Sequence, residues 1–237
     1  MKPAFKFRKY VQPWLCLLLL LNIPWIPSVH AAEILDGIVA KVNGHIILQS
    51  DWEDEQRYEA FMNDRPLAQL TQADRKAALD RLIDQELLRE QINPSEATLV
   101  SSQAVEKKLA EIRRQYAPAG KESTWQAALA HYQLTEEEIK NKIALELSLD
   151  RLVESRLRPS VQIDEKSIES YYNQEFLPQL RKAGNQDVPL PQVSPKIKEI
   201  LTQRKVDELL VAWLQDLRDG SDIRRGSADA SSEYQVR

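Results

Sequence analysis

The sequence predicts a mainly α-helical domain with a small β-hairpin at its front and a C-terminal helix that packs back onto it. Three observations carry this reading. Apolar residues recur at three- and four-residue spacing through most of the chain, as in Leu79, Leu82, Ile83 and Leu87, which is the period of a helix with one buried face. Polar residues with capping chemistry open several of these segments. A single Asn43-Gly44 pair stands between two short β-branched runs, the strongest local signal for a tight hairpin.

The first residues are expected to lie outside the fold. Lys2, Lys6, Arg8 and Lys9 precede an unbroken apolar run from Trp14 to Leu21, and Pro24 and Pro27 follow. Small residues around Ala31 complete the pattern of a secretory signal peptide over 1–31. Eight apolar residues fall well short of the roughly 20 needed to span a bilayer, so no stable membrane insertion is expected after cleavage. The one cysteine, Cys16, lies in this leader. The mature chain would therefore hold together by its core alone, with no disulfide and no thiol chemistry.

The hairpin occupies 38–48. Ile38, Val39 and Val42 supply one strand and Ile46, Ile47 and Leu48 the other. An isolated two-stranded hairpin is marginal in water, so a third strand is expected from Ser221 to Arg225, around Ile223, tying the two ends of the chain together.

Helices are expected at about 51–63, 72–92, 102–117, 124–132, 136–157 and 165–177. Ser50 to Glu53, Ser123 to Gln126 and Thr135 to Glu138 read as capping boxes, and Thr71 to Asp74 as a looser one. Asn93-Pro94 and Arg158-Pro159 read as helix stops. The helical domain thus runs over 32–177. Pro178, Pro189 and Pro191 with Gly184 between them read as a linker over 178–194. Ser194-Pro195 restarts a helix to about Arg218, so that 195–225 completes the same domain, and 226–237 reads as a flexible tail.

Composition excludes several chemistries. The full chain has a formal charge of −4, and the leader removes four basic residues and no acidic ones. An acidic chain with interspersed charge is not a nucleic-acid binder. Six scattered glycines cannot cradle a phosphate. Outside the leader only His45 and His131 remain, without local partners, and Glu136, Glu137 and Glu138 complement a helix dipole. Neither a metal site nor any other cofactor site is expected, and no catalytic residue is assigned.

What remains is aromatic and apolar surface. Such residues at helical spacing are ordinarily core. The first helix, with Trp52, Tyr58, Phe61 and Met62, carries more than a short amphipathic helix needs, and Met and aromatic side chains suit varied apolar partners. With Trp125 and Tyr132 on the fourth helix and Tyr172 on the sixth, they form the candidate peptide-binding set.

The stretches DGIVAKVNGHIILQSD, ALDRLIDQELLREQ and LTEEEIKNKIALELSLDRLVESRL resemble the N-terminal domain of the SurA family of periplasmic chaperones over about 34–177. KIKEILTQRKVDELLVAWLQDLR is similar to the family's C-terminal segment. Members usually carry parvulin-type prolyl isomerase domains between these parts, and the gap here is too short for one. The resemblance implies an ATP-independent periplasmic holdase for unfolded outer-membrane or secreted polypeptides. Two other readings stay open: a prolyl isomerase of unusual design, and an adaptor with one fixed partner or a second copy of itself.

Overall fold

The computed structural model describes residues 36–92 and 100–226. The leader and its cleavage site, the Asn93-Pro94 stop and the tail from 227 lie outside the described residues.

Strand β1 (Ile38–Val42) turns at Asn43 and Gly44 into β2 (His45–Leu48). Both turn residues have positive φ, 47° and 101°, as the tight type I′ turn requires. Val42 pairs with His45 and Ala40 with Ile47, and a bulge falls between Ile38 and Ala40. The expected third strand is present: β3 (Ile223–Arg225) runs antiparallel to β1, giving the order β2-β1-β3. Asn43 locks the junction, because its amide donates to the Asp222 carbonyl at 3.0 Å and its side-chain oxygen accepts from the Asp222 amide at 2.9 Å. Gly226 closes the sheet by donating to the Val39 carbonyl at 2.8 Å. A Cβ there would stand 2.4 Å from the Ile38 oxygen, so only glycine permits this approach.

Helix α1 (Gln49–Met62) follows β2 without a loop. It starts earlier than the Ser50 capping box would place it. The Leu48 amide donates to Asp51 Oδ2 at 2.9 Å, while Ser50 bonds Asp36 through both its amide and its hydroxyl. Where a strand runs straight into a helix, the carboxylates within reach take the orphan amides. Helix α2 (Gln72–Arg89) has the full reciprocal box: Asp74 N donates to Thr71 Oγ1 at 3.2 Å and Thr71 N to Asp74 Oδ2 at 2.7 Å. Helix α3 (Ser102–Tyr116) is capped by Ser101, and α5 (Glu136–Leu157) by the Thr135–Glu138 box. Helix α4 (Glu122–His131) begins after Lys121 instead of at Ser123, and Gln126 bonds Glu122 in its first turn at 2.8 Å.

The segment expected as a linker is largely helical. Helix α6 (Glu165–Tyr171) passes through a π-turn (Tyr172–Phe176) into α7 (Leu177–Lys182). Pro178 lacks the amide that α-helical spacing would direct to the Gln174 carbonyl, and the widened turn lies just before it. Helix α8 (Leu190–Asp219) begins before Pro195, with Pro191 in its first turn. Only 183–189 joins the two helices as loop. Pro195 in the second turn forfeits one bond and does not stop a helix whose later turns find partners.

Two cores result. Val39, Val42, Ile47, Leu79, Ile83 and Leu87 bury the inner face of the sheet against α2. Phe61, Leu109, Ile112, Trp125, Ile139 and Ile143 join the end of α1 to α3, α4 and α5. Helix α8 lies across α2, α5 and α6. Its Arg218 bonds Asp84 at 2.6 Å, and Leu217 packs on the sheet core, so the C-terminal helix does pack back.

Candidate functional site

Among the described residues an open face lies at the outer edge of β2. A cleft of about 260 Å³ is bounded by β2, α1, α2 and α5. Its floor is apolar, with Ile47 from β2, Leu82 from α2 and Leu145 from α5. The hairpin places Ile47 there because its register with Ala40 turns it inward, while Ile46 beside it is 45% exposed. The rim is charged: Asp51 and Asp54 on α1, Glu86 and Arg89 on α2, and Lys142 on α5. His45 closes the turn end, its Nε2 3.0 Å from Arg89 Nη2 and its Nδ1 3.5 Å from Glu86.

Beneath the rim runs a buried charged layer. Glu55 is 1% exposed and accepts from Lys142 Nζ at 2.5 Å, with Arg81 3.4 Å away. Arg81 also pairs with Glu59 at 2.9 Å. Partial burial pushes Asp54, Glu59 and Glu146 above the usual carboxylate range. At Asp54, Arg57 opposes that shift while nearby Glu138 and Asp51 add to it. Burial, reinforced by the Glu146 carboxylate, holds the Tyr58 hydroxyl far above its ordinary value. Charges withdrawn from water in this way need partners, and the layer supplies them across α1, α2 and α5.

The structure places most of the sequence-expected peptide-binding residues elsewhere. Phe61 and Trp125 are fully buried, and Tyr58 and Tyr132 nearly so. Phe61 stacks on Tyr116 at 4.4 Å and meets Trp125 and Tyr132 edge-on at 6.0 and 5.6 Å. Trp125 Nε1 donates to Glu136 at 2.8 Å, which holds that carboxyl below its ordinary value. Burial pushes the Tyr116 hydroxyl up to about 12. Trp52 packs in the sheet core with its indole N–H on the Arg75 carbonyl at 2.7 Å. In this conformation these side chains are packing, not surface: aromatic area is large, and helix faces bring it together where it can leave water. Met62 is half-buried against the same cluster. Tyr172 is half-buried on the π-turn, stacked on Phe176 at 5.9 Å with its hydroxyl on the Val188 carbonyl at 2.7 Å.

Leu82, Leu145, Asp54 and Lys142 were not singled out by sequence reasoning. Leu82 and Leu145 lie on apolar helix faces, but only the junction of α2 and α5 with β2 leaves them open. Among the described residues no group of three His, Asp or Glu side chains is placed to hold a metal ion.

The family model for the SurA-like N-terminal domain matches residues 6–153, more than half of the chain. The chain belongs to the SurA-like N-terminal domain family. No curated protein matches it. The match ends within α5, so the whole cleft lies inside the SurA-like part, and α6, α7, α8 and β3 follow it. No parvulin domain is found in the chain. The family is one of chaperone-like domains, and no helix among the described residues is long and apolar enough to cross a membrane.

Proposed function

We propose that this chain is an ATP-independent holdase of the periplasm that binds unfolded outer-membrane or secreted polypeptides and has no prolyl isomerase activity. The observation that carries the reading is an open apolar-floored cleft set within a SurA-like domain. A floor of Ile47, Leu82 and Leu145 accepts apolar side chains without selecting one shape, and a charged rim keeps the empty cleft soluble. The leader pattern of 1–31 supports export. Prolyl rotation has a barrier of roughly 18–20 kcal/mol, and lowering it requires a shaped, enclosed pocket; this cleft is open to solvent.

Dilution of an unfolded outer-membrane β-barrel protein from urea tests the reading. The chain at modest molar excess is expected to suppress light scattering, and Leu145→Ser to weaken that suppression while changing stability by about 1 kcal/mol. Unchanged aggregation in the presence of the wild-type chain would refute the holdase reading. A proline-peptide assay is expected to stay at the uncatalysed rate.

A further inference from the structure

The cleft is bounded on one side by backbone. Among the described residues β1 pairs with both β2 and β3, and nothing pairs the outer edge of β2. In the two-residue hairpin Val42 and His45 face each other as the pair nearest the turn, so the amide and carbonyl of His45 and Ile47 address β1. Those of Ile46 point away from it, toward the cleft. An exposed edge of this kind is a template for an added strand. The neighbouring Leu48 amide is already taken by Asp51, which confines the template to the groups around Ile46.

The charge of the cleft is one-sided. Asp51, Asp54 and Glu86 line it, against Arg89 and Lys142. Lys142 is spent on buried Glu55, and Arg89 on Glu86. Asp54 is likewise spent on Arg57, one turn along α1, so the acidity left at the Leu48 end of β2 is that of Asp51, whose carboxylate also accepts from the Leu48 amide.

We propose that the cleft takes an extended polypeptide segment in which a basic residue accompanies an apolar one, seated as a fourth strand on the Ile46 edge. The segment's backbone bonds the Ile46 amide and carbonyl. Its apolar side chain drops onto Ile47, Leu82 and Leu145, and its Lys or Arg reaches Asp51 at the Leu48 end. This deepens the holdase reading and rests on it for the site, adding a sequence preference and a binding geometry that a purely apolar groove would lack.

The test is fluorescence anisotropy with a labelled octapeptide of alternating valine and serine that carries one central lysine. Three relatives accompany it: lysine replaced by glutamate, lysine replaced by glutamine, and the lysine peptide N-methylated at the residue that would face Ile46. The lysine peptide is expected to bind about tenfold more tightly than the glutamate peptide, with the glutamine peptide between them. N-methylation is expected to remove most of the affinity. Asp51→Asn, which keeps an oxygen for the Leu48 amide, is expected to abolish the preference for lysine while leaving the glutamine peptide unchanged. Equal affinity for lysine and glutamate peptides, or an N-methylated peptide that binds as well as its parent, overturns the inference. The peptide-side changes decide this even if Asp51→Asn folds poorly. Suppression of barrel-protein aggregation without lysine preference leaves the holdase reading standing and refutes this one; lysine-selective binding without suppression supports the cleft and refutes the holdase.

Discussion

The cluster around Phe61 and the cleft beside β2 are built from the same helices, α1 and α5, yet one is closed and the other open. The cluster is rich in aromatic side chains and seals them completely. The cleft has no Phe, Tyr or Trp in its lining and exposes aliphatic residues. Residue type therefore does not mark the open surface in this molecule. What separates the regions is the partner each helix face meets: α3 and α4 cover the far half of α1 and the start of α5, whereas the near half of α1 faces a three-stranded sheet in which β2 is an edge strand among the described residues. The buried Glu55–Lys142 pair sits between them and belongs to both.

Breaking the closed region should have the largest effect. Trp125→Ala removes the ring that meets Phe61 and one of the donors to Glu136, and is expected to cost about 3–5 kcal/mol. Urea unfolding followed by circular dichroism measures this. If Trp125 were client surface instead of packing, the stability loss would be under about 1 kcal/mol and peptide binding would fall.

Lys142→Ala tests the seam between the regions. It strips Glu55 of its nearest partner inside the protein, leaving Arg81, and should cost about 2–3 kcal/mol. Replacing the pair together, as Glu55→Gln with Lys142→Met, should recover most of that loss. A double variant as unstable as the single one would show that Lys142 acts through packing alone.

Glu146→Gln gives the smallest effect and sharpens the comparison by pH. The folded chain raises this carboxyl above its ordinary value of 4.5, chiefly through burial, and so holds a proton more tightly than the unfolded chain does. That contribution to stability is full below 4.5 and is lost as pH rises through the folded value. The substitution should therefore stabilise the protein by about 0.5–1 kcal/mol at neutral pH, allowing for partial contact with solvent, with no gain below 4.5. Melting temperatures across pH 4 to 8 read this directly, and a pH-independent difference would contradict it. Asp74, Asp164 and Glu175 move the other way: hydrogen bonds from Arg65, Ser167 and Arg204, respectively, hold them low. Their stabilising contribution is present at neutral pH and is lost as pH falls through their depressed values.

Much of the architecture was legible because its signals are local. The Asn43-Gly44 turn requires two positive φ values and little else. Thr71 and Thr135 cap where they stand because a loop precedes each, leaving the reciprocal box free to form. Ser50 and Ser123 carry the same pattern and do not cap, since α1 starts directly from a strand and α4 starts after Lys121. The prolines of 178–195 also misled: Pro178 follows a π-turn and Pro191 opens α8, so residues that commonly break helices are here absorbed by them.

By itself the sequence determined the helical class, the hairpin, the strand at Ile223 that joins the two ends, and membership in a chaperone-like family. Periodicity, turn chemistry and capping act within a few residues, so they can be read along the chain. Only the tertiary structure decided that Phe61, Trp125 and Tyr132 close on one another and that Ile46, Leu82 and Leu145 stay open. Burial depends on which faces meet across dozens of residues, and an apolar side chain looks the same in sequence whether a neighbour covers it or none arrives.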